Sequence, residues 1–338
     1  MLFTRDELAQ HIAKKDIRVH WQDDFDTDAV LTWYSSKKEL RMTGFYRGFP
    51  FRGAEYTGAL FVFNKMTDVD FDGFLLNTED DIDAYLSAFG MSPADTNNLV
   101  KRTQEDGDEE AIIREWLSTI GGTFPESPLI SSAAQAIYDR ISGANRKASM
   151  DDLLIGWTEE EYKLFRSIEE ELYLGTVSSG FSSIEDFVAF ANSVLNRRKS
   201  RAGKSMEHHL EEIFRRSQLE FTPQAKTEGK KRPDFVFPSE AAYHDESFPI
   251  EKLCTLAAKT TCKDRWRQIL NEADRFRGRT KYLCTLQQGI SANQMDEMAA
   301  EQVTLVVPRA YLKAFPKEKR AEIWTLDRFV GYVRELEQ

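Results

Sequence analysis

The chain has 338 residues, a formal net charge of −11 and 41% hydrophobic residues. That length accommodates two domains with a substantial core, the apolar content fits a soluble globular protein, and no apolar run has the length a membrane-spanning helix needs. Three irregularly spaced cysteines, Cys254, Cys262 and Cys284, exclude a disulfide framework or a zinc site.

The opening, Met1-Leu-Phe-Thr-Arg-Asp-Glu, lacks the basic-then-apolar layout of a signal peptide, so a cytoplasmic protein is expected. Charge is unevenly spread. Residues 1–123 hold 13 Lys/Arg and 23 Asp/Glu, whereas 124–338 hold 32 and 33. A polyanion is therefore disfavoured by the first part and not by the second, where local patches decide.

Residues 1–95 mix short strand-like and helical pieces and are expected to form a smaller α+β domain. Runs at 57–63 and 71–76 read as buried strands. Residues 46–53 form a Gly/Pro-punctuated loop carrying Arg47 and Arg52, candidates for DNA contact. A capped helix starts at Thr78, with acids in its first turn. Residues 96–128 are polar and acidic and read as a short helix, 109–120, within a linker.

Helical periodicity then dominates, with helices expected at 129–142, 158–174, 182–197 and 203–217. Ser182 and Glu185 have capping-box spacing. Five cations, Arg197, Arg198, Lys199, Arg201 and Lys204, occur without an acid. They can touch phosphates or complement a helix C-terminus.

After 220 the pattern alternates. Strands are expected at 233–237, 250–258, 281–286 and 303–307, and helices at 264–276, 292–300 and 323–336. This predicts an α/β domain around a mixed sheet flanked by helices, covering 129–338.

Asp234 follows Pro233 at a strand beginning, and Lys259 ends the next strand. Adjacent strands can bring both to one sheet edge, where a carboxylate and an amine serve metal-assisted attack on a phosphate. This is the Pro-Asp…(Asp/Glu)-x-Lys pattern of many nucleases, with Ala257 where the second acid belongs. A helix starting near Lys263 would carry Arg265, Ile269, Glu272 and Phe276 on one face and return Glu272 toward Lys259. Glu207 is a third candidate acid. The plain alternative is a solvated Glu on an amphipathic helix. Lys263, Asp264 and Arg265 form a cation–anion–cation row that matches adjacent G·C pairs in a major groove, or else an ordinary cap. His208 and His209 read as helix residues, and Tyr243 is set aside as a nucleophile because a tyrosine enzyme needs no carboxylates.

The segments 187–205, 231–239, 242–245, 258–274 and 305–309 together resemble the EcoRII-type Type II restriction endonucleases, over about residues 129–338. Residues 42–60 are similar in spacing to a segment of that family's effector domain, through Arg47, Gly48, Pro50, Glu55, Thr57 and Gly58. The resemblance implies a restriction-endonuclease-like fold and a shortened, B3-like N-terminal pseudobarrel. It implies Asp234, Lys259, Glu272 and Glu207 as the catalytic group, with Asp234 and Glu272 holding Mg²⁺. It implies base reading by Lys263, Asp264 and Arg265, base flipping, and a homodimer on double-stranded DNA. The implied site has a CCWGG or CCNGG core cut 5′ of the first C, and a cognate DNA methyltransferase is the functional partner. The alternative is a catalytically silent or regulatory sequence-specific DNA-binding protein.

Overall fold

The computed structural model describes residues 2–338 apart from 5, 6, 9, 23, 24, 37, 38, 94, 95, 97–106, 144–147, 230, 264 and 288. It divides into two compact units, Met1–Ile82 and Asp83–Gln338. The division lies before the boundary expected near 95. The stretch expected as a linker contributes a helix to the second unit's core.

The first unit is a curled, half-barrel mixed sheet of five strands. These are β1 (Ile12–Trp21), β2 (Phe25–Tyr34), β3 (Glu39–Thr43), β4 (Leu60–Lys65) and β5 (Asp70–Leu76), in the order β3-β2-β1-β5-β4. β1 and β5 run parallel, and the other neighbours run antiparallel. β5 matches the buried strand expected at 71–76; β4 overlaps the one expected at 57–63 but starts at 60 and has no buried residue, and β1 to β3 were not foreseen. On β1, Ala13, Ile17, Val19 and Trp21 are buried at period two. Lys15 takes the intervening slot and sends its ammonium to the Leu2 carbonyl, 2.8 Å away. Trp21 anchors an aromatic core with Phe45, Phe49 and Phe71, and its indole N–H donates to Thr27 Oγ1 at 2.9 Å. Gly73 on β5 sits against this core. A Cβ there would lie 2.7 Å from Val19 Cγ1 and 2.8 Å from the Trp21 ring. Arg47 is exposed in the expected loop, and Arg52 Nε donates to the Phe49 carbonyl at 2.8 Å.

Helix α1 (Glu79–Phe89) spans the boundary. The second unit continues with α2 (Gly107–Leu117), α3 (Ser127–Ser142), α4 (Met150–Ser179) and α5 (Ile184–Arg216). Ile113 of α2 packs with Ile130 and Ile137 of α3 and with Leu164 and Ile168 of α4. α4 starts at a capping box between Ser149 and Asp152. Ser183, not Ser182, caps α5 by accepting from the Asp186 N–H.

The two helices expected at 182–197 and 203–217 are one helix of 33 residues. Gly203 costs such a helix only about 1 kcal/mol. Tertiary contacts on either side of it outweigh that cost. Met206, Leu210, Ile213 and Phe214 are fully buried after it, and Arg198 and Arg201 are tied down before it.

The second sheet has the order β10-β9-β8-β7-β6, from β6 (Thr222–Pro223), β7 (Phe235–Phe237), β8 (Cys254–Lys259), β9 (Lys281–Thr285) and β10 (Val303–Val306). Side chains alternate between two cores. Leu256, Ala258, Tyr282 and Cys284 face one core with α4, α5 and α8 (Leu326–Leu336). Ala257, Leu283 and Leu305 face the other with Ile269 and with Met295 and Met298 of α7 (Ala292–Ala300). α6 (Glu240–His244) is a short helix beyond β7. The three cysteines are buried and free. Among the described residues, no helix is long and apolar enough to cross a membrane.

The helix expected over 264–276 is instead two 3₁₀ turns, Arg265–Asn271 and Asp274–Phe276, with Glu272 in the bend between them. Ile269 and Phe276 are both buried as expected, but in separate cores.

Candidate active site

The register of three antiparallel strands sets up the site. Pro223 pairs with Phe235, and Phe235 pairs with Leu256. Gln224, just past β6, and Asp234, just before β7, therefore stand in a row with residues 257–258 near the end of β8. The Gln224 N–H donates to the Asp234 carbonyl at 2.9 Å. Asp234 is 6% exposed. Its Oδ2 accepts from the Ala258 N–H at 2.7 Å and from Lys259 Nζ at 3.2 Å, and its Oδ1 accepts from Gln224 Nε2 at 2.9 Å. Its oxygens are thus satisfied, which burial of a carboxylate demands.

Glu207 reaches the row from α5. Its Oε2 accepts from the same Gln224 Nε2 at 2.9 Å. Burial, then the charge of Asp234, raises the Glu207 carboxyl above its ordinary range, while Gln224, Lys259 and Lys204 pull it down.

Glu272 approaches from the bend and shares a small pocket with Pro233, Ala257 and Lys281. Burial raises its carboxyl to about 7, with Lys259 lowering it and Asp234 raising it further. It thus lies within electrostatic reach of both. In a 3₁₀ turn residues three apart share a face, so Glu272 follows Ile269 one turn on, and its N–H donates to the Ile269 carbonyl at 3.2 Å. Two further groups fix the bend. Lys281, 7% exposed, sends its ammonium to the Leu270 carbonyl, and Thr227 Oγ1 donates to the Glu272 carbonyl at 2.7 Å.

Three carboxylates against the ammonium of Lys259 leave a half-buried excess of negative charge. The donors are oxygens only, the set a hard divalent cation prefers. Among the described residues, no three His, Cys, Asp or Glu side chains lie close enough to share one ion. Pairs of these acids suit a cation that takes one or two carboxylates and completes its shell with water and phosphate.

The remaining candidates are placed as follows. Asp264 lies outside the described residues. Lys263 is 4% exposed, and its carbonyl accepts from Gln294 Nε2 at 3.2 Å. Arg265 Nη1 donates to Asp83 Oδ2 at 2.7 Å. In the basic run the three arginines hold protein groups. Arg197 lies 4.2 Å from the Phe124 ring centroid, Arg198 forks onto Glu169, and Arg201, 4% exposed, stacks 3.7 Å from Tyr162. Lys199 and Lys204 are exposed. His208 Nδ1 is 3.0 Å from Ser131 Oγ, and His209 Nε2 is 3.1 Å from Glu161 Oε2. The Tyr243 hydroxyl donates to Glu228 and accepts from the Arg275 N–H at 3.2 Å, and burial pushes its pKa up. That setting does not activate a tyrosine nucleophile.

Sequence reasoning missed Gln224, Thr227 and Lys281. Thr-Pro-Gln before an apolar strand is a turn signal, but it does not mark an amide that bridges two acids.

Residues 165–330 match the family model described as EcoRII C terminal. The chain is 52% identical over 182 residues to the Type II restriction enzyme EcoRII of Escherichia coli, an alignment covering 54% of this chain and 45% of that enzyme. It thus spans less than half the length of that curated relative. Among solved structures it is similar to metal-depleted Ecl18kI in complex with uncleaved, modified DNA, at a TM-score of 0.51 and 19% identity, covering 68% of this chain and 83% of that one. It is also similar to the restriction endonuclease PspGI in its substrate DNA complex, at a TM-score of 0.50 and 12% identity, covering 63% and 93%. These two likenesses show that the C-terminal part of the chain resembles a restriction-endonuclease fold.

Proposed function

We propose, from the match of residues 165–330 to the family model described as EcoRII C terminal, that the chain is a Type II restriction endonuclease. It cuts double-stranded DNA at a site with a CCWGG or CCNGG core, 5′ of the first C, leaving 5′-phosphate and 3′-hydroxyl ends. The observation that carries this reading is the contact of Asp234 with Lys259 at 3.2 Å at the end of β8, with Glu272 in electrostatic reach.

Asp234 and Glu272, aided by Glu207, would hold Mg²⁺, which when bound makes water more acidic and stabilises charge building on the phosphate. Lys259 aims an ammonium at the same place, where it orients the attacking water and offsets charge on the phosphate. Asp234, through its contact with Ala258 N–H and Lys259, keeps that ammonium at the strand end. Lys263, Asp264 and Arg265 read the outer C·G pairs. For Arg265 this requires exchanging Asp83 for guanine. Lys199 and Lys204, the exposed cations of their run, track phosphates. Arg47 and Arg52 contact DNA from a B3-like first unit.

A homodimer matches a pseudopalindromic site, one active site per strand. The odd central pair is accommodated by base flipping. A cognate methyltransferase protects the host copy of the site.

The test is digestion of a sequenced plasmid with Mg²⁺ and mapping of the ends. Cuts confined to CCWGG or CCNGG cores and abolished by Lys259→Ala are expected. Tight specific binding without cutting would favour a silent DNA-binding module, and equal cutting at unrelated sequences a structure-reading nuclease.

A further inference from the structure

We propose that Gln224 and Thr227 make the loop after β6 a positioning element that holds the site's three carboxylates in register. The proposal deepens the nuclease reading above and rests on it. The three acids come from distant parts of the chain: Glu207 from α5, Asp234 from the start of β7, and Glu272 from the bend between two 3₁₀ turns. One short loop touches all three. Gln224 Nε2 donates to Glu207 Oε2 and to Asp234 Oδ1, each at 2.9 Å. Thr227, 6% exposed, donates through Oγ1 to the Glu272 carbonyl at 2.7 Å.

The loop is itself anchored on the far side of Glu272. Glu228 Oε2 accepts from the Asp274 N–H at 3.1 Å, and Lys231 Nζ donates to both Asp274 oxygens at 2.9 Å. A shift of the loop would therefore move Glu272 relative to Asp234.

The chemistry of the bridging group fits this task. An amide nitrogen carries two protons, so one atom can satisfy two acceptors. Being neutral, it draws the carboxylates toward one point without cancelling their charge, as a lysine there would. Gln224 also has φ of +48°, a conformation that residues with a β-carbon rarely adopt. Its backbone bond to Asp234 and the two side-chain bonds hold it there. Such outliers gather where a side chain must be aimed. Gln224 and Thr227 act through the acids, as positioning residues.

The test uses the full chain and four variants. Gln224→Gly tolerates the backbone conformation and lacks the amide. Gln224→Met keeps the length and lacks the amide donor. Thr227→Val keeps the shape and lacks the hydroxyl, and Thr227→Ser retains it. Mn²⁺ binding is titrated by electron paramagnetic resonance, and cleavage of a CCWGG duplex is followed against Mg²⁺ concentration. Thermal unfolding and metal-free duplex binding report on the fold.

Gln224→Gly, Gln224→Met and Thr227→Val are expected to weaken Mn²⁺ binding and to raise the Mg²⁺ needed for half-maximal cleavage by ~10–100-fold. Unfolding temperature and metal-free duplex binding should stay near wild type, and Thr227→Ser should behave as wild type. Wild-type Mn²⁺ binding in Gln224→Gly and Thr227→Val overturns the proposal, as does a loss that merely parallels unfolding. If the unaltered chain cuts and binds Mn²⁺ while the variants match it, this proposal alone falls. If the unaltered chain does neither, the nuclease reading falls and takes the proposal with it.

Discussion

Asp234 and Lys259 meet at 3.2 Å across the ends of two antiparallel strands, and the oxygen they share also takes the Ala258 N–H at 2.7 Å. Because the backbone holds that carboxylate, losing the lysine removes an ammonium without releasing the acid. Lys259→Ala is expected to slow single-turnover cleavage by about 10²–10⁴-fold, with metal-free duplex binding unchanged in a gel-shift assay. Full-speed cutting by this variant would remove Lys259 from the chemistry.

Glu272 is a half-buried acid beside another acid, a placement that costs stability. Glu272→Gln keeps the shape and removes the charge. Cleavage should fall by at least about 10²-fold, while the unfolding temperature, measured in EDTA, should stay level or rise. A variant that loses both activity and stability would mark Glu272 as a structural residue.

The basic run divides by burial into two groups with opposite signatures. Arg198 binds Glu169 through three contacts of 2.6–3.0 Å and the Ala88 carbonyl at 2.6 Å. Arg198→Ala should cost about 2 kcal/mol of stability and leave the salt dependence of DNA binding alone. Lys204→Ala should barely shift unfolding, but lower the slope of log K against log salt by about 1. Fluorescence anisotropy over a salt series, with calorimetric unfolding, separates them.

The strands that carry Asp234 and Lys259 were legible in sequence because a proline opens one and a charged residue closes an apolar run in the other. The position of Glu272 was legible only in part. An i→i+3 bond from the Glu272 N–H to the Ile269 carbonyl closes the 3₁₀ turn, so the two residues line one pocket although the helix type differs from the expected one. Gln224 was not legible, because its role depends on a left-handed bend and on acids supplied by other elements. β1 was hidden because Lys14, Lys15 and Asp16 interrupt its alternation, although Lys15 reaches the Leu2 carbonyl from an inward slot. The cation-rich stretch 198–202 was read as a break between two helices, but packing on both sides carries one helix through it.

Asp151, 1% exposed, accepts from the Leu326 N–H at 2.8 Å near the start of α8. Burial raises its carboxyl to about 6, against 3.8 ordinarily, with the Leu326 bond opposing and Asp327 adding. A folded-state pKa above the unfolded value means that the protonated acid is favoured by folding. Its contribution is fully present below about pH 4 and is lost as pH rises to about 6. Asp151→Asn should lack that loss, so its thermal stability should gain on wild type across this window. A constant difference at all pH values would show that Asp151 does not titrate there.

Gly73 leaves no room for a side chain between Val19 and Trp21. Gly73→Ala should destabilise the first unit by about 1–3 kcal/mol through overpacking. Near-ultraviolet circular dichroism of the Trp21 environment during thermal unfolding checks this, and an unchanged transition would contradict the packing described.

The unbroken helix α5 is held at mid-length and at its inner end and projects at its outer end. The mid-length hold is the Arg198–Arg201 stretch, where the two guanidinium groups grip Glu169 and Tyr162. At 1.5 Å per residue, the arm from Arg201 out to Ile184 is about 25 Å and the arm in to Glu207 about 9 Å. Ile184, Phe187 and Val188 ride in the open at the long end. Because Met206, Leu210, Ile213 and Phe214 fix the inner arm in the core, a push at that tip meets a clamped rod, so a bulky label near residue 184 should leave the Glu207 carboxylate in place.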